Sequence, residues 1–425
     1  MTEFIIKKLP YEPISHAGLA FIGKYLKRVN VNSMIDPKFP VRSGAANSDI
    51  LKSYLALLCL GKSDFDAVES FRSNAFFMRA LALAVVPSSP TLRQRMDSHA
   101  ASWFDLAPQL NQQLLSSRIN CQAIDFGALS CGYTPLDLDT FVMYNSATKK
   151  ELVGRTYAGV DGYCPFAAYL GRLGYCLELA FRPGVQHSAS ESEYNFKRAL
   201  PMAAALVSTP LLVRADSGFC SPKLMQEVTA QAADASAKWL SEGAGKRKCL
   251  WQEAVQVAGV GTPINPARRV YRLTERTIDK HGHALLLPEY VMEGLTTTLP
   301  ERLSCEEVIA LYCDHARHEQ FDSEFKSDMD LERLHSGKSD TNYLVCQFAA
   351  VAMNLLRLIG QNTLNEPDAP VRHQAKRRLI KTVMKELMFK AARMIHHAGR
   401  WVLGLGESEP AFAVFERHYQ SLNTA

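Results

Sequence analysis

The sequence predicts a mixed α/β fold in which a core of strands and helices is flanked by helical regions. Three observations predict it. Apolar residues recur at helical spacing over residues 14–118, their spacing falls towards two over residues 119–218, and helical spacing returns after residue 303. A chain of 425 residues is too long for one ordinary core, so we expect about two or three domains.

Composition and charge describe a soluble globular protein. Hydrophobic residues make up 47% of the chain and charged residues 21%. The net charge of +5 is compatible with a nucleic acid partner. Its ten cysteines show no CxxC spacing and its N-terminus has no signal-peptide pattern, so we expect reduced thiols and a cytoplasmic location. The apolar run 343–359 contains Gln347, Asn354 and Arg357, which favours a buried helix over a membrane span.

Residues 1–118 are predicted to form a helical N-terminal region that binds DNA. The Asn-Ser-Asp run at 47–49 is expected to cap one of its helices. A Pro-Ser turn at 87–90 precedes a short basic helix that carries Arg93 and Arg95. A helix-turn-helix protein contacts the major groove with such an arrangement. The alternative is a capped surface helix with two solvated arginines.

Residues 119–219 and 303–360 are predicted to form the catalytic core. The pattern of its first part predicts three strands at 133–144, 163–170 and 175–181, a helix at 190–206 and a fourth strand at 210–215. Another helix is predicted to begin after the fourth strand. This is the element order of a ribonuclease-H-like fold, in which the first and fourth strands are neighbours. Asp139 lies near the end of the first strand and Asp216 follows the fourth, so this fold would bring the two acids together.

The segment between Asp216 and Glu319 is too long for a loop, so residues 220–302 are predicted to be an insertion domain. Apolar residues alternate over 263–299, and the Lys-His-Gly-His run at 280–283 is predicted to form a turn. We therefore expect the insertion to be partly β-structured.

The segment 311–326 is predicted to be one helix with which the core resumes. At helical spacing, Tyr312, His315, Glu319 and Lys326 would lie close to one face. This helix would therefore add an acid to the two that follow the strands.

The three acids predict a carboxylate cluster for divalent metal. Two Mg²⁺ ions about 3.5–4 Å apart can stabilise both the attacking and the leaving oxygen of a phosphodiester, and Mg²⁺ prefers oxygen ligands. We predict that Asp139, Asp216 and Glu319 are the catalytic metal ligands, with Mn²⁺ able to replace Mg²⁺. Asp137 points to the same face of its strand as Asp139. We prefer Asp139 because it lies at the polar end, but the sequence leaves the choice open.

Residues 361–425 are predicted to form a basic helical C-terminal region. Residues 371–400 carry nine Lys or Arg residues against one acid, Glu386. We interpret this run, with Lys376, Arg377 and Arg378, as a contact for DNA phosphates. The alternative is a solvated helix face.

A family resemblance rests on several of these stretches together. Tyr312-x2-His315-x3-Glu319-x6-Lys326 resembles the Tyr-(2)-Arg-(3)-Glu-(6)-Lys signature of DDE transposases from bacterial insertion sequences. Other stretches that resemble one branch of this family are 136–139, 149–157, 161–165, 182–187, 214–219 and 319–334. The similarity covers roughly residues 10–420.

The resemblance implies a function as well as a fold. Asp139, Asp216 and Glu319 would be the metal-binding triad, and Tyr312 and Lys326 would hold DNA phosphates near the cut. The family cuts double-stranded DNA at terminal inverted repeats and joins the freed 3′-OH ends to target DNA, within a homodimer that pairs two ends. We expect this activity in the bacterial cytoplasm, without a membrane partner.

Departures from the signature leave an alternative function open. His315 stands where the signature has Arg, and it would contact a phosphate when protonated. Asp322 also departs from the pattern. The alternative is a catalytically inactive relative that occupies the ends without cutting, and a general nuclease of the same fold is a third possibility. A zinc site of Cys313, His315 and His318 is disfavoured, because Cys313 would point away from the two histidines on a helix.

Overall fold

The computed structural model describes Lys8 and residues 11–116, 124–219, 239–243, 245–255, 267–371, 373–375 and 377–424. The chain divides into two compact units. Unit 1 comprises Met1–Val213 and His318–Ala425, and unit 2 comprises Arg214–Arg317. Both contain helices and strands, so the predicted mixed α/β class is confirmed. The predicted insertion, 220–302, falls within unit 2.

The N-terminal part of unit 1 is helical, as predicted. Its α-helices are α1 Leu19–Arg28, α2 Val31–Ile35, α3 Asn47–Cys59, α4 Ala75–Ala80, α5 Ser89–His99 and α6 Leu106–Leu115, with 3-10 helices at Phe65–Phe71 and Ala101–Trp103. The predicted cap at 47–49 is wrong. Ala46 precedes α3, and the side chain of Asn47 donates to the carbonyl of Phe39 at 2.8 Å while Asp49 accepts from the backbone N–H of Ala84 at 3.0 Å. These polar groups hold neighbouring loops against α3. Their partners lie outside the helix, so the local sequence pattern does not predict these hydrogen bonds.

The described strands of unit 1 form three sheets. Their bounds are β1 Pro13–Ile14, β2 Thr134–Thr140, β3 Met143–Tyr144, β4 Gly154–Arg155, β5 Asp161–Tyr163, β6 Phe166–Leu170, β7 Tyr175–Ala180 and β8 Leu211–Ala215, of which residues 211–213 lie in unit 1. The main sheet has the order β7-β6-β2-β8, and a small sheet has the order β3-β5-β4. β2 and β8, the first and fourth predicted strands, are neighbours, and Thr134 N–H donates to the carbonyl of Pro210 at 2.9 Å where both begin. Helix α7, Ser192–Leu206, precedes β8.

Unit 2 is built on a second four-stranded sheet. Its strands are β9 Trp239–Gly243, β10 Lys246–Val255, β11 Ala267–Ile278 and β12 Ala284–Thr297, in the order β12-β11-β10-β9. The predicted turn at 280–283 joins β11 to β12, where Asp279 N–H donates to the carbonyl of His283 at 2.8 Å. Helix α8, Cys305–Cys313, begins with a capping box between Ser304 and Glu307.

The predicted single helix over 311–326 is wrong. Helix α8 ends at Cys313, a 3-10 turn follows at Asp314–Arg317, helix α9 spans His318–Ser323 and a π-helical turn spans Glu324–Asp328. Asp314 pairs with Arg317 at 2.8 Å and with Arg214 at 3.4 Å, which stabilises the tighter turn. The boundary between the two units falls here, so Tyr312 and His315 lie in unit 2, whereas Glu319 and Lys326 lie in unit 1.

The apolar run 343–359 lies within a long buried helix, as predicted. Helix α10, Ser339–Leu364, is long and apolar enough to cross a membrane, but 94% of its most apolar window is buried inside the fold. It packs against β7, the edge strand of the main sheet. The Asn354 amide bonds both backbone groups of Cys176, accepting from the N–H at 2.9 Å and donating to the carbonyl at 2.7 Å. This pairing satisfies backbone groups that an edge strand otherwise leaves open.

The C-terminal region is only partly helical, so its prediction as a helical region needs correction. Helix α11, Ile380–Val383, continues into a π-helical turn at Met384–Met388, and helix α12 spans Phe412–Thr424. Between them β13, Ala392–His397, and β14, Arg400–Leu405, form a hairpin that joins β1 in the order β1-β13-β14. Its two turn residues, Ala398 and Gly399, both have positive φ, of 48° and 76°. This two-residue turn favours a hairpin over a continued helix.

His418 of α12 makes the stability of unit 1 depend on pH. Burial, together with the charges of Arg417 and Arg28, lowers the pKa of His418 from 6.5 to about 4. Between these values the unfolded chain binds a proton that the folded chain does not. The free energy of unfolding should therefore fall by about 2–3 kcal/mol between pH 7 and pH 4.5 on account of this residue. Urea unfolding at both pH values should show a smaller fall for His418→Gln than for the wild type, whereas His373→Gln, at an exposed site, should leave the fall unchanged.

Candidate metal centre

Asp139 lies at the end of β2, an interior strand of the main sheet. Leu136 and Leu138 alternate with Asp137 and Asp139, so the acids share one face of the strand. Asp139 is buried, and one of its oxygens, Oδ1, accepts from the backbone N–H of Thr140 at 2.7 Å. This bond orients the carboxylate and leaves Oδ2 for another partner.

Helix α9 brings two further ligand groups to Asp139. His318 and Asp322 are one helical turn apart and face the same side. His318 Nε2 lies 2.8 Å from Asp139 Oδ2, and Asp322 shares a hydrogen bond with Asp139. The hydroxyl of Tyr169, on β6, donates to Asp322 Oδ1 at 2.6 Å. A ligand atom of each of Asp139, His318 and Asp322 lies within 4.8 Å of the other two, and we call these three residues the Asp139 cluster.

The two carboxyl groups of the Asp139 cluster have opposite pKa shifts. Burial, followed by the charge of Asp139 and the hydrogen bond with it, raises the pKa of Asp322 well above its usual value. Burial alone would also raise the pKa of Asp139, but hydrogen bonds from His318 and Asp322 outweigh it and the net pKa is lowered. These opposite shifts of the two pKa values favour a negative charge on Asp139 over one on Asp322.

The donor set of this cluster fits a divalent cation. Two carboxylates and one imidazole are ordinary ligands for such ions, and each of the three residues is at most 8% exposed. Asp139, rather than Asp137, belongs to the cluster. This geometry favours Asp139 as the metal ligand, the choice that the sequence left open.

The structure does not place Glu319 in the Asp139 cluster. Among the residues that the structure describes, the ligand group of Asp139 contains His318 and Asp322 alone, and Glu319 is exposed on α9. Asp216 belongs to unit 2, where its Oδ1 accepts from the backbone N–H of Gly218 at 2.9 Å. The roles of Glu319 and Asp216 therefore stay predictions from the sequence.

His318 and Asp322 belong to the Asp139 cluster but were not among the metal ligands predicted from the sequence. The sequence does contain a pattern that could have indicated them, His-x3-Asp, because this spacing places both side chains on one face of a helix. The prediction instead assumed one continuous helix over 311–326 and chose the residues that share a face with Tyr312 and Glu319.

The predicted DNA-binding residues near α9 lie in different surroundings. In unit 2, the rings of Tyr312 and His315 lie 5.7 Å apart, and His315 is buried. In unit 1, Lys326 is half-buried on the π-helical turn. Their contacts with DNA stay predictions.

The two predicted DNA contacts on α5 differ in how firmly the fold holds them. Arg95 donates to Asn47 Oδ1 at 2.7 Å, so its guanidinium is engaged within unit 1. The side chain of Arg93 is 44% exposed and lies 3.8 Å from Asp66. Ser88 is the N-cap of α5, and its side chain accepts from the backbone N–H of Thr91. Arg93 is thus the more accessible of the two arginines.

Of the basic C-terminal residues, Lys376 lies outside the described residues. Arg377 is held by Glu324 and Gln320, each at 2.7 Å, and Arg378 donates to the carbonyl of Leu364 at 3.0 Å. These bonds tie the segment to the protein. Its contribution to DNA binding stays a prediction.

Comparisons with known proteins agree on one kind of domain. The family described as "Transposase DDE domain group 1" matches residues 14–238, and the family described as "Transposase DDE domain" matches residues 155–355. No curated protein matches the chain. A solved structure, the cryo-EM structure of the piggyBac transposase synaptic complex with hairpin DNA, is 11% identical, with a TM-score of 0.34 over 89% of this chain and 83% of that one. A TM-score this low indicates only a loose overlap of the two chains.

Proposed function

Since the chain belongs to the transposases with a DDE domain, we propose that it is a divalent-metal-dependent enzyme of DNA transposition. It would cut DNA at the inverted-repeat ends of a mobile element and join the freed 3′-OH ends to target DNA. The observation that carries this proposal is the Asp139 cluster, because a buried strand and a helix converge on ligand groups within 4.8 Å of one another. Ligands on rigid elements are what metal-dependent phosphoryl chemistry needs.

The residues around the cluster have distinct tasks in this chemistry. A bound divalent ion would supply Lewis acidity at the phosphate and lower the pKa of the attacking water or hydroxyl. Asp139 supplies the negative charge, and Thr140 N–H fixes its direction. Tyr169 holds Asp322 in place through its hydroxyl. Each bond restricts the ligand side chains before metal arrives, which reduces the ordering cost of binding.

The remaining parts of the proposal come from the sequence. Asp216 and Glu319 would complete the carboxylate set in a ribonuclease-H-like core, for two Mg²⁺ ions or for Mn²⁺ in their place. The other predicted residues would contact DNA phosphates: Tyr312, His315, Lys326, Arg93, Arg95, Lys376, Arg377 and Arg378. A homodimer would pair the two ends in the bacterial cytoplasm.

The test uses DNA that carries candidate terminal inverted repeats. Incubation with Mg²⁺ or Mn²⁺ should give nicked ends and strand-transfer products, and EDTA should abolish both. The same protein should bind the repeats without metal, with an affinity that falls steeply as salt rises, because Lys and Arg release counterions from the phosphates. Repeat-specific binding without any metal-dependent product would instead show the inactive relative that the departures at His315 and Asp322 left open.

A further inference from the structure

We propose that a cleft in unit 1 binds a small organic anion with a single apolar tail, such as a long-chain carboxylate. The cleft has a volume of about 770 Å³ and lies between α1, α4, the hairpin of β13 and β14, and α12. Small-molecule sites usually have volumes of about 300–1,000 Å³. The proposal goes beyond the proposed function, because it uses none of the proposed DNA contacts or metal ligands.

The walls of the cleft are fixed by packing between them. Gly23 of α1 approaches the end of α4 so closely that a Cβ on Gly23 would overlap the carbonyl oxygen of Ala80. Phe21 of α1 and Phe415 of α12 pack with their ring centroids 4.2 Å apart. The hairpin is anchored where β13 pairs with β1. Since α1 has no room to move closer to α4 or α12, the cleft is already formed before a ligand binds.

The apolar lining of the cleft includes aromatic rings that are partly open to solvent. Trp401 of β14 is 49% exposed, and Phe412, the first residue of α12, is 47% exposed. The guanidinium of Arg79 lies 4.0 Å from the centroid of the Trp401 ring, which fixes the position of that ring. An apolar tail in the cleft would remove these rings from water. Each methylene that the tail buries should tighten binding about three- to fourfold.

The charged side chains of the cleft favour an anion. Three of them are cations, Lys24, Lys27 and Arg79, against one acid, Glu416. None of these four forms an ion pair within the part of the chain that the structure describes. Lys24 and Lys27 are three residues apart on α1, so their side chains lie on the same face of the helix. A carboxylate between them would accept charge-assisted hydrogen bonds, with its tail directed towards the aromatic rings.

The size of the cleft favours a small molecule over a helix of a partner protein. An α-helix with its side chains is about 10–12 Å wide and rises about 5.4 Å per turn, so a volume of about 770 Å³ holds only about one to two turns of it. Helices that short are marginal in water and would lose entropy on ordering. A flexible tail with one charged end meets both the volume and the charge of the cleft.

The experiment is a calorimetric titration of the full chain with dodecanoate, below the concentration at which it forms micelles. The wild type should bind one dodecanoate per chain, about tenfold more tightly than decanoate, which is two methylenes shorter. Dodecyltrimethylammonium, with a cationic head on a tail of the same length, should bind at least about tenfold more weakly than dodecanoate. These comparisons use the unaltered protein, so they do not depend on the folding of a variant.

Variants then locate the bound molecule. Lys27→Gln should weaken dodecanoate binding about three- to tenfold but leave the affinity for uncharged dodecanol within about twofold. Phe412→Ala should weaken the binding of both about tenfold, because it shortens the apolar wall. The matched controls are Lys38→Gln, at an exposed site outside the cleft, and Tyr194→Ala, at a residue of α7 that is 61% exposed. Both controls should stay within about twofold of the wild type.

Three results would overturn the proposal on the ligand or its place. These are several equivalent dodecanoate sites per chain, equal affinity for the anionic and the cationic head, and equal losses in Lys27→Gln and Lys38→Gln. Binding to anionic phospholipid vesicles without binding of free dodecanoate would overturn it as well. So would a protein that ignores dodecanoate but loses self-association, or binding of an acidic amphipathic peptide, in Phe412→Ala, since the cleft would then be a protein interface.

Discussion

Asp139→Asn should reduce the yield of cleavage and strand-transfer products by about a thousandfold or more. The substitution removes the negative charge that a divalent ion needs, but an amide oxygen can still accept the hydrogen bond from Thr140 N–H. The fold and the DNA-binding surface should therefore remain, and the Kd for repeat DNA should stay within about threefold, since that affinity comes from phosphate contacts elsewhere. Product yield and DNA affinity, measured on the same preparation, check both parts.

The matched control for this prediction is Asp161→Asn. Asp161 is an acid of unit 1 in a strand near β2, but its side chain is half exposed and lies 3.6 Å from Arg155. Its removal should leave the product yield unchanged. Full activity of Asp139→Asn would contradict the assignment of Asp139 as the metal ligand. A comparison of Asp322→Asn with Glu319→Gln in the same assay would show which acid of α9 the reaction uses.

Glu324→Met should lower the free energy of unfolding by about 3–5 kcal/mol. Glu324 is buried on the π-helical turn, where it pairs with Arg357 and Arg377, each at 2.7 Å, and accepts from the backbone N–H of Ile380 at 3.0 Å. It thus joins three segments of unit 1. Its loss leaves the buried guanidinium of Arg357 without this partner, and an uncompensated buried charge is costly. Urea unfolding of wild type and variant gives the difference.

Two further variants separate the charge effect from a packing effect. The double variant Glu324→Met, Arg357→Met should be more stable than Glu324→Met alone, because it removes the stranded charge. Glu366→Ala, at an exposed site, should change the free energy of unfolding by no more than about 0.5 kcal/mol. If the double variant is instead less stable than the single one, burial of the Arg357 charge is not what makes the loss of Glu324 costly.

Sequence pattern was sufficient where structure depends on neighbours along the chain. The sequence correctly predicted the strand that carries Asp139, the buried helix with Asn354 and the turn at 280–283. Each follows from local spacing of apolar residues or from turn residues. The family also followed from the sequence, because its motifs are spaced along the chain.

Tertiary contacts decided the composition of the candidate site. The predicted face of Tyr312, His315, Glu319 and Lys326 required an unbroken helix, and ion pairs of Asp314 favour a 3-10 turn instead. Because the 3-10 turn interrupts the helix, residues before and after it no longer share one helical face. Helix α9 begins after the turn and presents His318 and Asp322 to Asp139.

The C-terminal region also depends on tertiary contacts that the sequence pattern did not predict. Its basic residues suggested a DNA-binding helix, but Arg377 is engaged by a buried acid. Residues 392–405 form a hairpin instead, and its first strand, β13, pairs with β1. The sequence by itself therefore determined the family and the main strands, and it limited the first acid to Asp137 or Asp139, with Asp139 preferred. Only the tertiary structure decided which side chains meet that acid, because a hydrogen bond or ion pair between distant residues leaves no periodic signal in the chain.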